Sequence, residues 1–385
     1  MRGACAIAQL VTIAIGIGCA KPEQMRRLPN GERWRLFGAE SLRRSHDATA
    51  AREFSDDVLG ATRLRDGAVM VAYADSAVIE VTDLTGGILR RLHLAPDSVG
   101  RESRIAALGR CPSSGLAFAV NLSTRQLLIF NDTLRLIRTI PLNRRLLFLN
   151  IVDCDRESAT GAEKRALFTI NTGEVTPVAH LIRIGMKAGR LSVDTLHRLS
   201  ETEFYFSKEL RGFVEQPLGR EAMVVRGRAG FYLGSTDDRR IELVDERGNS
   251  RGSSRIDLHD SQATVGDLLQ WIHLRLLRER SAENQDFLRE LIALAPVRSL
   301  RPMYTRLLRD SEDRLWLQTL ELGAADSVRW YVTNARTGDT MAWIDLPSSF
   351  VPIEIGSRYM LGIEHSAGNH TRLLLRGYGR DNLVP

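Results

Sequence analysis

A repeated unit of four short β-rich runs, separated by Gly, Asp, Ser or Asn turns, constrains this chain most strongly. In the clearest unit, which spans residues 58–94, an Asp66-Gly67 turn separates the first two runs. Asp-Gly between alternating apolar runs is a strong hairpin signal, because glycine accepts a positive φ. The corresponding glycine of the next unit is Gly115, and the distance from Gly67 is within the range typical of a propeller blade, about 40–50 residues.

Further units in the same order predict an all-β fold, a six-bladed β-propeller in which four-stranded sheets surround a channel. The predicted units span residues 58–94, 105–142, 148–199, 222–258, 304–346 and 351–376. The last unit contains only three runs. We expect the N-terminal segment Glu32 to Glu40 to complete it, because closing the ring removes exposed sheet edges. A seventh blade would need residues 200–220, which are too few.

Four segments inside these units follow one pattern of strand, turn and strand. They are Gly230 to Gly234 followed by Arg240 to Gly248, Asp310 to Leu317, Ile344 to Pro347 and Ile355 to Gly362. Together they resemble the blade signature of bacterial six-bladed propellers related to the NHL and TolB-like groups. The resemblance covers roughly residues 33–378. Most members of this exported, lipoprotein-like group lack an assigned activity, so the resemblance implies a fold more than a function.

Residues 262–295 interrupt the β pattern and predict a two-helix insertion between blades four and five. Thr264 and Asp267 form a capping box at the start of the first helix. The apolar face expected for this helix consists of Val265, Leu268, Leu269, Ile272 and Leu276. The second helix has Ser281 as its expected N-cap and is marked by Phe287, Leu288, Leu291 and Ile292. The insertion is interpreted as a stabilising buttress, with a lid or partner-docking element as the alternative.

The N-terminus carries an export signal. Arg2 precedes an apolar run from Ala4 to Gly18, which is short for a membrane span and typical of a secretory signal peptide. The run ends in Ile-Gly-Ile-Gly before Cys19, a sequence that resembles a bacterial lipobox except that Gly16 stands where leucine is usual.

These features predict a lipoprotein-type signal peptide at residues 1–19, a tether at 20–32 and the propeller at 33–385. Lipidation of Cys19 would then attach the protein to a membrane of the bacterial cell envelope, facing the periplasm or the cell exterior. Cleavage after Ala20 without lipidation, or an uncleaved anchor, are the alternatives.

Two cysteines, Cys111 and Cys154, lie within the predicted propeller. Each follows the first strand of its unit, so we expect equivalent positions in neighbouring blades. An oxidising compartment permits a disulfide between them, with two unpaired thiols as the alternative. Since the bridge would close a loop of roughly 43 residues, it should contribute about 3–4 kcal/mol to stability.

The chain is basic, with a formal net charge of +6 and a pI of about 9.4. All but four of its 53 basic residues are arginines. They are scattered or alternate with acids, which is typical of a solvated surface and does not indicate a nucleic-acid partner. Aromatic residues are sparse, and those that crowd unit five, Trp316, Trp330, Tyr331 and Trp343, are interpreted as core residues.

No motif predicts a catalytic, cofactor or metal site. The sequence contains no HxH, HExxH or phosphate-loop pattern. The letters GxSxG occur once, at Gly248 to Gly252, but they lie between two strands of unit four and not between a strand and a helix, as a nucleophile elbow requires. Ser113-Ser114 and the acidic run from Asp310 to Asp313 are interpreted as turns, because the latter lacks the distal glutamate of a calcium loop. The histidines outside the signal are His46, His93, His180, His197, His259, His273, His365 and His370.

The sequence therefore predicts a monomeric, non-catalytic binding or scaffold propeller that engages a protein, peptide or glycan partner at its channel face. The alternative is a hydrolase or lyase with its site in the channel, possibly metal-assisted. An enzyme should bring three or more acids, amides or histidines together at the channel mouth. A scaffold should present scattered polar groups there.

Overall fold

The computed structural model describes residues 31–41, 58–73, 77–84, 87–94, 104–147, 149–169, 174–207, 212–258, 262–276, 300–322, 326–365 and 371–380. The predicted signal peptide with Cys19, and the predicted second helix of the insertion, lie outside these residues. In the described part of the chain, no helix is both long enough and apolar enough to cross a membrane.

The described chain is almost entirely β-structure, as predicted, and four of its sheets each contain four consecutive antiparallel strands. The first sheet comprises β2 (Val58–Arg63), β3 (Val69–Tyr73), β4 (Val78–Thr82) and β5 (Ile88–His93). The second comprises β6 (Ile105–Arg110), β7 (Ala117–Asn121), β8 (Gln126–Phe130) and β9 (Leu136–Pro141). The third comprises β10 (Asn150–Cys154), β11 (Ser158–Thr169), β12 (Glu174–Lys187) and β13 (Arg190–Arg198). The fourth comprises β16 (Ala222–Arg226), β17 (Phe231–Ser235), β18 (Arg240–Val244) and β19 (Ser250–Arg255).

An eight-stranded sheet joins the two ends of the chain. Its strands are β1 (Glu32–Ser41), β20 (Arg306–Arg309), β21 (Arg314–Leu322), β22 (Ser327–Asn334), β23 (Thr340–Pro347), β24 (Phe350–Ile355), β25 (Tyr359–His365) and β26 (Thr371–Arg380). Strand β1 pairs antiparallel with β26 along most of its length and parallel with β23 at only two positions, Glu32 and Arg33. The N-terminal strand therefore supplies a fourth strand to the group β24–β26, next to the group β20–β23.

The position of a strand within its group determines how deeply it is buried. All residues of β3, β4, β7 and β17 are buried, whereas β5 and β19 are almost wholly exposed. Strands covered on both faces are mostly apolar, as in the run from Val69 to Tyr73. The outermost strand of a group meets solvent and tolerates polar residues, as in Ser250–Arg255.

The first strands of successive groups contact one another in the order β2, β6, β10, β16, β20 and β24, and β24 contacts β2 again. The sheets therefore surround a central channel, which is the arrangement of a β-propeller. These first strands all finish at one end of the channel, which we call the turn end. We call the opposite end of the channel the connection end.

Every neighbouring pair of strand groups is joined at the turn end by a covalent bond, an ion pair or a hydrogen bond. Around the ring these contacts are Arg110 Nη1 to the Arg63 carbonyl (2.7 Å), the Cys111–Cys154 disulfide, Arg226 Nε to Asp153 Oδ2 (2.8 Å), Tyr232 Oη to Asp313 Oδ2 (2.9 Å), the β-bridge between Asp310 and Ile355, and Thr62 Oγ1 to Glu354 Oε2 (2.7 Å). The turn end is therefore tied together around its whole circumference.

Two extra elements lie at the connection end. Residues 204–207 and 212–215, which the sequence left unassigned, form an antiparallel pair of strands, β14 (Phe204–Ser207) and β15 (Gly212–Glu215). The helix α1 (Val265–Leu276) follows β19, and an isolated bridge from Gln262 to Leu300 marks where this segment leaves and rejoins the body.

The predicted capping box of α1 is confirmed. The Thr264 hydroxyl accepts from the Asp267 amide (3.1 Å), and the Asp267 carboxylate accepts from the Thr264 amide (2.8 Å). The Asp267 carboxylate also lies 3.3 Å from Arg301, with both side chains about nine-tenths buried. The start of the helix is therefore fixed to the strand that returns to the body.

The predicted apolar face of α1 was partly wrong. Val265 and Leu269 are 75% and 61% exposed, whereas Leu268, Trp271 and Leu274 pack on Leu320 and neighbouring residues. The buried face of the helix is thus rotated relative to the expected one, and it includes Asp267, which is buried in the cap. The spacing of apolar residues predicts that one side of a helix is apolar, but it does not predict how wide the buried face is.

The aromatic residues of unit five are buried in the core, as interpreted. Trp316 and Trp330 are essentially inaccessible, and the ring of Trp34 from β1 lies 5.8 Å from Trp316 and 5.5 Å from Tyr378. This cluster is the place where the N-terminal strand docks.

Candidate ligand-binding channel

The channel encloses a cavity of about 700 Å³. Its middle section is aliphatic and includes Leu59, Ala61, Leu108, Ile151, Val224 and Leu308 from five different first strands. Pockets of this size with apolar walls and a few charged groups are typical binding sites.

The charged side chains of the channel wall are unevenly balanced. The cations are Arg65, Arg110, Lys164, Arg226, Arg306 and Arg309, and the carboxylates are Glu221, Asp310 and Glu354. The six cations outnumber the three carboxylates of the wall, but Asp153, Glu246 and Asp313, which are not part of the wall, pair with Arg226 and Arg309. Arg65 and Arg110 donate to backbone carbonyls rather than to carboxylates, so they are the wall cations best able to attract an anionic group.

Each channel carboxylate already has partners. Glu221 lies 2.7 Å from Lys164 at the connection end. Glu354 accepts from the Tyr359 hydroxyl at 2.7 Å, and burial together with Glu354 raises the pKa of Tyr359, so the phenol stays protonated as a donor. Asp310 accepts from the indole of Trp316 at 2.9 Å. None of these acids is an isolated base aimed into the cavity.

The acids do not converge on one point either. Glu221 lies at the connection end, whereas Asp310 and Glu354 lie at the turn end. Among the residues that the structure describes, no three His, Cys, Asp or Glu side chains are placed to hold a metal ion. Of the predicted histidines, His46, His259 and His370 lie outside the described residues. The remaining histidines lie within the described residues, and none of them lines the channel.

Arg226 is the most unusual of the channel cations. Its side chain is only 7% exposed, its Nε lies 2.8 Å from Asp153, and Nη2 contacts Glu246. Its guanidinium also lies 4.8 Å from the ring centre of Phe231. Within the described chain neither Nε nor Nη1 makes a hydrogen bond, although both are buried, so the contact of Nε with Asp153 is an ion pair without hydrogen-bond geometry. A buried charged donor left without an acceptor is costly, and such groups often mark binding sites.

Asp153 positions Arg226 from the neighbouring blade. The amide and hydroxyl of Ser113 donate to Asp153 at 3.1 and 2.9 Å. Burial raises the pKa of Asp153, and the hydrogen bonds from Ser113 and the charge of Arg226 oppose that rise. Ser113, interpreted from sequence as an ordinary turn residue, therefore supports the network beside the channel.

Sequence reasoning missed the arginines at the turn end. Arg63, Arg110, Arg226 and Arg309 are each the last residue of the first strand in their group. Aligning the predicted units on the residue before each turn could have found them. In the two remaining groups this place is taken by Cys154 and Ile355, and each of these also joins the preceding blade.

Cys111 and Cys154 are joined in the structure, with their Cα atoms 4.9 Å apart. The expectation that they occupy equivalent positions needs a correction. Cys154 ends β10, whereas Cys111 is the first residue after β6. The offset of one residue lets one sulfur reach across to the next blade, because consecutive residues of a strand point in opposite directions.

A second, small cavity of about 30 Å³ lies at the connection end beneath α1. Trp271 and Leu274 of the helix form its apolar wall, and Tyr304 and Glu221 contribute polar atoms. Leu274 is buried against Leu320. This packing supports the interpretation of α1 as a buttress beside the channel.

No family model matches the chain, and no curated relative does. Among solved structures, virginiamycin B lyase from Staphylococcus aureus is 9% identical, with 89% of this chain and 99% of that chain covered and a TM-score of 0.41. A DUF4221 family member from Bacteroides vulgatus is 9% identical, with coverages of 90% and 98% and a TM-score of 0.45. The Cps50 (Swd1) β-propeller domain from Myceliophteria thermophila is 10% identical, with coverages of 84% and 97% and a TM-score of 0.41. Likenesses at this level assign no activity, substrate or partner to this chain.

Proposed function

We propose that this protein is a monomeric six-bladed β-propeller of the bacterial cell envelope that binds a protein, peptide or glycan partner in its channel without catalysing a reaction. The observation that carries this proposal is a channel of about 700 Å³ whose carboxylates are all engaged by protein groups and whose wall contains several arginine side chains. Such a wall can hold a partner, and each carboxylate in its described part already accepts a hydrogen bond or pairs with a cation.

The closed order of contacts among the first strands supports a count of six blades. In this count, the eight-stranded sheet is two blades that touch through β1 and β23. The pairing of β1 with β26 completes the last blade and protects its edge. The pair β14–β15 has only two strands and is an addition to the ring.

The competing proposal, a hydrolase or lyase in the channel, needs acids, amides or histidines that converge around a reacting atom. The three channel acids lie at opposite ends and already accept hydrogen bonds or pair with a cation. This arrangement favours binding over catalysis.

Blocking the channel should remove the partner. In Ala107→Trp, an indole would project from the channel wall, where Ala107 is half-buried. We expect proteins or glycans that co-purify with the wild-type protein from cell envelopes, identified by mass spectrometry, to be lost. The matched control is Thr195→Trp on the exposed outer strand β13, which should retain them. Equal recovery with both variants, each folded by circular dichroism, would place the partner elsewhere.

The envelope location is proposed from the export signal, with Cys19 as the lipid-bearing residue and residues 20–32 as the tether. In Cys19→Ala, metabolic labelling with palmitate should disappear and the protein should leave the membrane fraction. Labelling that persists in Cys19→Ala contradicts lipidation at this residue. Release without any labelling of the wild type would indicate ordinary signal cleavage.

A further inference from the structure

We propose that the turn end of the channel is a receptor for the carboxylates of an acidic peptide segment. This inference rests on the proposed function, since it names the class of partner that the channel binds. Its central residue is Arg226, whose buried Nη1 has no hydrogen-bond partner in the described chain and whose side chain lines the cavity.

Three further arginines accompany Arg226 at the same end. Arg65 Nη2 donates to the Ser114 carbonyl at 3.2 Å, and Arg110 Nη1 to the Arg63 carbonyl at 2.7 Å. Arg309 Nη1 lies 3.3 Å from Asp313. A guanidinium has five N–H donors, so each of these side chains keeps donors for a ligand after its protein contact is made.

These cations are held in place before any ligand arrives. Asp153 and Phe231 fix Arg226, and protein carbonyls or carboxylates fix Arg65, Arg110 and Arg309. Side chains that are already ordered lose little conformational entropy on binding. Arginine also pairs with a carboxylate through two parallel hydrogen bonds, which adds geometric specificity to the charge attraction.

The chemistry of the available groups favours a peptide carboxylate over a glycan. An ionised carboxylate only accepts hydrogen bonds, and the guanidinium groups of Arg65, Arg110, Arg226 and Arg309 are donors with spare capacity. A sugar hydroxyl also donates, and the acceptors Asp310 and Glu354 are already engaged. Aliphatic residues such as Ala61, Val224 and Leu308 continue the wall inward and suit the apolar side chains that flank acidic residues in a peptide.

The test uses hexaglutamate as the probe and isothermal titration calorimetry as the measurement. Wild-type protein should bind hexaglutamate and not hexalysine, and the affinity should fall as salt is added, because salt screens the charges. Arg65→Gln/Arg309→Gln should bind about tenfold or more weakly, since hydrogen bonds to charged groups are lost. Arg190→Gln, at an exposed turn of the third sheet, is the matched control and should bind like wild type.

Arg226→Gln should abolish hexaglutamate binding, but it also removes the partner of buried Asp153. If Arg226→Gln does not fold, the affinity of Arg65→Gln/Arg309→Gln for hexaglutamate therefore tests the proposal. Equal affinity of that double variant and Arg190→Gln overturns the proposal. Tighter, arginine-dependent binding of polygalacturonate than of hexaglutamate also overturns it, in favour of an acidic glycan.

The outcomes separate this inference from the proposed function. If hexaglutamate does not bind but Ala107→Trp still loses its envelope partner, the acidic-peptide inference fails and the binding channel stands. If hexaglutamate does not bind and Ala107→Trp keeps every partner, both fail.

Discussion

Replacing Asp310 by alanine is expected to lower the free energy of unfolding by about 3–5 kcal/mol, the cost of removing one partner from a buried ion pair. Asp310 is fully buried and holds the turn that follows β20. Its Oδ1 accepts from the amides of Glu312 and Arg314 at 2.9 and 3.0 Å. Its Oδ2 accepts from Arg314 Nε at 2.6 Å and from the Trp316 indole at 2.9 Å.

Alanine would leave all four of these donors without their acceptor. It would also disturb the place where blade five meets its neighbour, because the backbone of Asp310 bridges to Ile355. Arg314 lies over the ring of Trp34 and donates to the Tyr378 hydroxyl, so the loss should spread to the docking site of β1.

The measurement is denaturant unfolding followed by tryptophan fluorescence, to which Trp34 and Trp316 contribute among the five tryptophans of the chain. Asp310→Asn should be less damaging than Asp310→Ala, because its amide oxygen can still accept from two amides. Asp339→Ala, in an exposed turn of the same blade, is the matched control and should change stability by about 0.5 kcal/mol or less. If Asp310→Ala were as stable as Asp339→Ala, the buried carboxylate would not organise this turn.

Removing the disulfide is expected to cost about 3–4 kcal/mol of stability, because the bridge closes a long loop in the unfolded chain. Cys111 and Cys154 are buried and 43 residues apart, and together they join the second and third sheets. Cys111→Ala/Cys154→Ala should still fold, since Ser113 and Ser114 continue to bind Asp153 and the Cys154 carbonyl. Alanine is the appropriate replacement because a buried serine hydroxyl would need a new partner.

The check compares the denaturation midpoints with and without reductant. Reductant should lower the midpoint of the wild type towards that of the double variant and leave the variant unchanged. The oxidised wild type should also show no reaction with a thiol reagent until it unfolds. A wild type whose midpoint ignores reductant while its thiols react freely would contradict the pairing.

Turn residues and apolar patterns predicted the β-rich units well, because these sequence signals involve only residues that are close together in the chain. The Asp66-Gly67 turn, with Gly67 at a φ of 91°, and the alternating or continuous apolar runs mark strands without reference to the rest of the chain. The capping box of Thr264 and Asp267 is local in the same way and was found from spacing alone. The buried face of α1 was not found from spacing, because it depends on contact with Leu320, which is far away in sequence.

The residues of the candidate site could not be predicted from short stretches of sequence in this way. Arg226 was one basic residue among 53, and nothing near it in sequence marks it. Its importance comes from Asp153 and Phe231, which fix the guanidinium, and from the channel on which it borders. Glu221 and Lys164 likewise form an ion pair across two blades.

By itself, the sequence determined that this chain forms repeated antiparallel sheets, because turn chemistry and apolar alternation act over a few residues. It also determined which two cysteines were able to pair. Only the tertiary structure decided that the first strands form a closed ring and that four of them end in arginine at the same end of a channel. The physical reason is that charge and burial depend on contacts between blades, and these contacts join residues many positions apart.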